Sequence, residues 1–449
     1  MVIAAINTLV KSEISKTPWG IRHLQTLLLF FGMMLAFAMR VNMSLAIVAM
    51  TDTDSSNSFD WNMQTQSVIL SSFFWGYVVL QIPGGELAAR FGGKVLITLC
   101  MGINGGWQLV CGCRVLQGLS QAFLFPSTHN LIGKWVPLGE KGRLGTIIYA
   151  GAQFGTALQL IGGGFTAEYL GWPAIFYING ILSAIWTVFY MYFGSDSPQN
   201  SRTISKEERD FIQNSLGHVG EQKKHKTPWL SIMMSLPFLS LVLAHCGQNW
   251  GFGTLMTEMP SYMNHILGVN IKSNGVMSAL PYLTMYLLSF PMGYLSDLVL
   301  RKKWLSITTC RKISNSISKY IVYHTFFIFL WMIIPFHAVV ILIVVVGLNS
   351  GQYTGFMLVH IDMAPNFAGT LMGITNCLAN IISIVSPLVA GYLLQDETDI
   401  NNWRKVFYVS SAVYIFSNTC FLLFGSSEVQ AWNDVKDDDN GNMASYLDA

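Results

Sequence analysis

Two arginines stand where a charged side chain is costly. Arg40 lies deep in the apolar run FGMMLAFAMRVNMSLAIVAM, with Asn42 and Ser44 following at short spacing. Arg114 lies in CGCRVLQGLSQAFLFPSTH, and Gln117 and Gln121 come three and seven residues later, on much the same helical face. Guanidinium groups stay protonated and present forked donors that match carboxylate or phosphate oxygens. Two permanent positive charges in a dry cavity therefore point to an anionic ligand. The competing role for Arg114 is a structural pair with Glu168 or Glu86, whereas the run around Arg40 holds no acidic partner.

The second half of the chain adds AHCGQNWGFGTLMTEMP, which places His245, Gln248 and Asn249 near one another and Glu258 at an outer end. The two amides suit hydrogen bonding in a cavity. Glu258 fits a coupling group and a simple helix-end contact equally well. GFMLVHIDMAP puts His360 and Asp362 at the inner mouth of another span. A lone histidine there is usually structural, although its titration range suits proton coupling. Tyr77, Tyr149, Tyr353 and Asn376 complete the candidate cavity lining, and Pro126 is placed to kink its helix shortly before His129.

The elements that carry these residues must lie in a membrane. The chain has 449 residues, of which 52% are apolar and only 11% are Asp, Glu, Lys or Arg. A soluble domain carries roughly 25% charge, so this composition cannot cover a large core with a wetted surface. Soluble enzymes, disulfide scaffolds and disordered regulators are excluded. The net charge of +2 implies no nucleic-acid partner. Seven cysteines without a paired C-x-x-C read as structural thiols, and the N-terminus does not read as a signal peptide.

Apolar windows near the span length occur at about 24–50, 65–88, 107–130, 144–165 and 172–193, then at about 230–257, 274–295, 316–335, 337–359, 367–392 and 404–424. They divide the chain into an N-terminal bundle (1–193), a cytosolic central loop (194–229), a C-terminal bundle (230–427) and a polar cytosolic tail (428–449). The last part of the tail, VKDDDNGNMASYLDA, is expected to be disordered. Lys and Arg crowd the N-terminus, 89–94, 134–143, the central loop and a 296–315 connection, which all read as cytosolic. One conflict follows. An even number of crossings must separate 89–94 from 134–143, yet VLITLCMGI before Asn104 makes only about 14 Å of helix against a ~30 Å core. The third span is shortened, or this half has an abnormal topology.

An internal repeat accompanies the spans. Gly85-Glu86-Leu87-Ala88, followed by Arg90, matches Gly293-Tyr294-Leu295-Ser296, followed by Asp297, at an offset of 208 residues. Both stand at the cytosolic ends of equivalent spans, where glycine permits close helix approach and an acidic group can meet a helix end. Gly85, Arg90, Gly293 and Asp297 are thus gating candidates. Two repeated bundles around a midplane site suit alternating access better than a channel or a membrane enzyme. No Walker spacing is present, so uphill movement requires an ion gradient or the membrane potential. The N-x-S match at Asn42 lies within a span and is not expected to carry a glycan.

Several blocks carry a resemblance over nearly the whole chain: RVNMSLAIVAM at 40–50, SSFFWGYVVLQIPGG at 71–85, RVLQGLSQAFLFPSTH at 114–129, HIDMAPNFAGTLMGITN at 360–376 and FGSSEVQAWN at 424–433. The sequence resembles the anion-transporter family of the major facilitator superfamily, which includes sodium/phosphate cotransporters, sialic-acid carriers and vesicular glutamate carriers. It is most like the insect branch of inorganic phosphate cotransporters. The resemblance implies an all-α membrane fold of two pseudo-symmetric bundles, nominally twelve spans, with about fifteen residues fewer around the third. It also implies a carrier rather than an enzyme, with Arg40 and Arg114 contacting the anion.

Vesicular glutamate carriers have arginine at the position of Gln248. Proton-coupled relatives have glutamate at Gln121, and the sialic-acid carrier has one at Gln117 as well. These departures favour phosphate or another small organic anion, with a coupling cation expected to be Na+ and no resident cofactor. A monomer in the plasma membrane is the expected form. The alternatives are a proton- or voltage-driven organic-anion carrier and a non-transporting membrane regulator.

Overall fold

The computed structural model describes residues 19–50, 59, 63–79, 107–216, 227–265, 275–329, 335–394 and 399–434. The shortened third span, Gly85, Arg90 and the acidic tail after 434 lie outside these. The described residues form helices and turns. Six stretches among them are long and apolar enough to cross a bilayer: Ile21–Met43, Leu138–Leu170, Trp172–Phe193, Ala279–Arg301, Pro365–Leu393 and Ile400–Phe424.

In the first half, α1 (Ile21–Met50) packs against both α5 (Lys141–Leu170) and α6 (Trp172–Phe193), and α2 (Met63–Val79) pairs with α3 (Trp107–Gln121). The expected 107–130 span breaks at Ala122 and Phe123, and α4 (Leu124–Trp135) resumes it. The cause is Pro126, which cannot donate to the carbonyl of Ala122 four residues earlier. Along α6, Ile181, Leu182, Ile185, Val188 and Phe189 are exposed. A continuous apolar exterior of this kind belongs against lipid.

The central segment is more ordered than a loop. It contains α7 (Lys206–Leu216), and α8 (Trp229–Met234) begins at its last residue. Glu208 of α7 accepts from the backbone N–H of Ile21 (2.9 Å) and Arg22 (3.1 Å), capping the start of α1. The Arg22 guanidinium is buried and pairs with Glu208 at 2.9 Å and with Glu140 at 2.8 Å. Charge patterning placed these residues on the cytosolic side but could not show that they pair.

In the second half, α9 (Leu236–His265) packs on α15 (Ala368–Leu393) and α16 (Ile400–Phe424). Beside them run α10 (Gly275–Arg301) and α11 (Ile307–Phe329). The expected 296–315 connection therefore shrinks to the turn between Arg301 and Ile307, and Arg311 and Lys312 belong to α11. The expected 337–359 span is broken into α12 (Pro335–Leu348), α13 (Gly351–Thr354) and α14 (Phe356–Met363). Gly355, at the last break, packs directly on the backbone of Asn315, leaving no room for a Cβ. The first residues of the tail are also tied down. Gln430 N–H donates to Met363 O (2.9 Å), and Asn433 bonds Asn366 twice. The halves meet where α5 packs on α10 and where α2 and α4 pack on α15.

Candidate functional site

Arg40 and Arg114 come together on facing helices. Glycines set the spacing: a Cβ at Gly76 would overlap the backbone of Val115, and one at Gly118 the backbone of Phe73. This mutual approach of α2 and α3 brings Phe73 beneath both arginines. The Arg40 guanidinium lies 4.8 Å from the centroid of Phe73, 4.8 Å from Phe37 and 4.5 Å from Tyr77. That of Arg114 lies 5.2 Å from Phe73. Ring faces attract these cations but supply no oxygen acceptors.

The two glutamines fix this geometry. Arg114 Nη1 donates to Gln117 Oε1 at 3.1 Å, and Gln117 Nε2 donates to Met39 O at 3.3 Å. Gln121, also buried, donates to Ala36 O at 3.3 Å. Gln117 and Gln121 thus join α3 to carbonyls of α1. Of the two alternative partners for Arg114, Glu168 is exposed on α5 and Glu86 lies outside the described residues. Among the described residues Arg40 forms no ion pair, and its buried Nε has no acceptor.

Other expected residues link the halves. Asn376 Nδ2 donates to Tyr77 Oη at 3.1 Å. Gln153 Nε2 donates to Tyr353 Oη at 2.9 Å, and the Tyr149 and Tyr353 rings stack at 6.1 Å. Tyr149 Oη is 2.8 Å from His129 Nδ1, and the other ring nitrogen of His129 lies 3.1 Å from Met357 O. His360 and His245 both reach Thr375 Oγ1, at 2.8 and 3.0 Å. His360 is therefore not isolated: its ring centroid is 5.4 Å from that of His129 and 6.0 Å from that of His245. Asn249 is half-buried on α9, and the side chain of Glu258 lies outside the described residues.

At the end of the bundles that charge patterning assigns to the cytosol, the contacts become ionic. Asp362 is buried and accepts from Lys141 Nζ at 3.0 Å across the halves and from Arg311 Nε at 2.8 Å within its own half. Asp297 accepts from the backbone N–H of Gly142 and Arg143, each at 2.8 Å, at the start of α5. This is the anion-binding geometry of a helix N-terminus, occupied by a side chain. A Cβ at Gly142 would overlap the Asp297 carboxylate, and Gly293 packs against Gly142 and Thr146. Gly293 and Asp297 therefore stand where the inner ends of the halves are joined.

Sequence reasoning missed Lys319. It is fully buried on α11, and its ammonium donates to Gln248 Oε1. The lack of a base at Gln248 thus does not leave the C-terminal bundle without a cation there. Three residues inside an expected span edge, Lys319 resembled the basic border of a cytosolic loop. Arg311 was assigned to a loop for the same reason.

The sequence matches the family model for the Major Facilitator Superfamily over residues 29–310 and 241–442. The chain belongs to that superfamily. It is 37% identical to a Drosophila melanogaster protein named "Putative inorganic phosphate cotransporter", over 93% of this chain and 87% of that one. It is 33% identical to human sialin, over 94% of this chain and 92% of sialin. It is also 33% identical to vesicular glutamate transporter 3 of Danio rerio, over 92% of this chain and 74% of that protein. Within the superfamily, the chain falls in the branch that these carriers define. It is a multi-pass membrane transporter and not an enzyme.

Proposed function

We propose that the chain moves inorganic phosphate, or a small organic anion, across the membrane by alternating access, with sodium as the coupling cation. The observation that carries this reading is the pair of arginines over Phe73, with no carboxylate on Arg40 among the described residues. A divalent oxyanion supplies the acceptors that the surrounding rings lack, and it matches two forked donors in charge. Phosphate is supported by the name of the insect relative. Glutamines at 117 and 121 cannot cycle a proton, which favours another coupling ion, and sodium is the cation that the family resemblance implies.

Alternating access assigns the remaining groups. The anion enters from the outer side while Lys141–Asp362 and Asp297 at the N-terminus of α5 hold the inner ends together. Parting of those contacts exposes the arginines to the cytosol, where hydration of the anion releases it. The plasma membrane is the proposed location, and a single chain is the proposed working unit.

Radiolabelled phosphate uptake by cells expressing the full chain tests the reading, with surface protein quantified in parallel. Saturable uptake that disappears when sodium is replaced by N-methylglucamine supports it. Uptake that persists without sodium overturns the coupling ion. No uptake of phosphate by surface-resident protein overturns phosphate as the substrate.

A further inference from the structure

Lys319 is treated differently from three other buried cations, Arg22, Lys141 and Arg311, and resembles Arg40 in facing rings rather than a carboxylate. Arg22 is held by Glu140 and Glu208, and Lys141 and Arg311 share Asp362. Lys319 is equally buried, but its polar contact among the described residues is the neutral Gln248, and its ammonium otherwise faces rings, Phe356 at 5.7 Å and Tyr414 at 4.7 Å. Aromatic faces offset only part of the cost of a dry ammonium.

The amides around it are neutral: Gln248 Oε1 accepts from the ammonium without cancelling its charge. Gln248 Nε2 donates to Asn349 Oδ1 at 2.8 Å. Asn349 is itself fully buried, and its Nδ2 makes no hydrogen bond of ordinary geometry, only a looser contact with the Tyr414 side chain. These contacts come from α9, α14, α16 and the turn between α12 and α13, all in the C-terminal bundle. The charged and titratable neighbours supply no anion. His245 on α9 and His360 on α14 are engaged with Thr375, and Asp362 is already occupied by two cations.

We propose that Lys319, Gln248 and Asn349 form an anion-binding site inside the C-terminal bundle, which takes one oxyanion group of the transported substrate. The inference rests on the anion-carrier reading above and deepens it. The Lys319 ammonium and Asn349 Nδ2 donate to the oxyanion, and Gln248 Oε1 orients the ammonium toward it. An array of convergent N–H donors suits a group with several acceptor oxygens.

The test uses the purified full-length chain in lipid nanodiscs, with its thermal midpoint titrated by sodium phosphate or sodium chloride against a sodium gluconate background. The wild-type midpoint is expected to rise saturably with phosphate. Lys319→Met should raise the half-saturating concentration by about tenfold or more, while Lys319→Arg, which keeps the charge, stays within about threefold. Asn349→Asp places a carboxylate beside the ammonium, so it should raise the ligand-free midpoint and abolish the phosphate response.

A Lys319→Met protein with wild-type half-saturation overturns the site while leaving the carrier reading intact. If that variant does not fold, an Asn349→Asp protein that keeps the full phosphate response overturns it instead. A response that depends on Lys319 for chloride but not for phosphate overturns the oxyanion assignment. A wild-type chain that responds to neither anion overturns this inference together with phosphate as the substrate.

Discussion

Replacing Lys141 by Met should open the cytosolic side. Lys141 Nζ and Asp362 Oδ1 are 3.0 Å apart, with side-chain exposures of 3% and 0%. When the inner ends separate, Asp362 loses only this one of its two cations, because Arg311 stays with it on its own half at 2.8 Å. Stripping the partner from an isolated buried charge costs about 3–5 kcal/mol, but Asp362 is never left alone here. The applicable figure is the net worth of a charge-assisted hydrogen bond, about 1.5–3 kcal/mol. At about 1.4 kcal/mol per tenfold, the inner-open population should rise about 10- to 150-fold. Thr146→Cys gives the readout, since Thr146 is fully buried beside Gly293. A thiol reagent applied to inside-out vesicles should label Lys141→Met/Thr146→Cys at least about tenfold faster than Thr146→Cys alone, after subtraction of the native-cysteine background. Lys141→Arg should behave as wild type. Unchanged labelling of a folded Lys141→Met protein would refute the assignment of the lock to this pair.

Three other substitutions have defined outcomes. Arg114→Ala should reduce phosphate uptake by about tenfold or more at equal surface expression, and Arg114→Lys should restore only part because it lacks the fork; undiminished uptake by the alanine variant removes Arg114 from the site. Gly142→Val should prevent inner closure, because its Cβ overlaps the Asp297 carboxylate, and should speed Thr146→Cys labelling as Lys141→Met does. Glu208→Gln strips a carboxylate from buried Arg22 and from the N-terminus of α1, for a loss of up to about 3–5 kcal/mol read as a lower thermal midpoint. A midpoint equal to wild type would show that Glu140 alone satisfies Arg22.

What the sequence made legible was set by the physics of burial in lipid. Apolar windows located the helices, since a span must satisfy its own backbone and present a greasy exterior. Arg40 and Arg114 stood out because each lies far inside such a window. Lys319 and Arg311 did not, since both fall near a span edge where lysine and arginine ordinarily mark a wet loop. Their burial depends on residues distant in sequence: Gln248 is 71 positions from Lys319, and Asp362 is 51 from Arg311. Glu208 escaped notice for a related reason. A glutamate in a charged stretch looks solvated until the helix end that it caps is placed beside it. The α3–α4 break could be anticipated from Pro126, whereas the breaks around α13 arise from close packing on α11.

The order of events at the inner gate follows from the spacing of residues on α5. Lys141, Gly145, Tyr149 and Gln153 recur every four residues, so they form one stripe about 18 Å long. That stripe faces Asp362, Leu358, Tyr353 and the hydroxyl of Tyr353 in turn. The contact at the cytosolic end is ionic, and those deeper are a packed methyl, a ring stack and a neutral hydrogen bond. Water reaching from the cytosol solvates the ionic end first, so separation begins there and runs inward along α5. Part-way along the stripe, Tyr149 stacks on Phe125 at 6.2 Å, Phe125 meets Phe37 edge-on at 6.0 Å, and Phe37 lies 4.8 Å beneath Arg40. An anion that draws the Arg40 guanidinium off that ring alters the packing at one end of the ladder while Tyr353 fixes the other to the opposite half. Binding can bias the gate through this ladder only to the extent that the anion prefers one arrangement of Phe37 over the other. Phosphate should therefore change the Thr146→Cys labelling rate, and a Phe37→Ala substitution should weaken that change while leaving the lock at Lys141 in place.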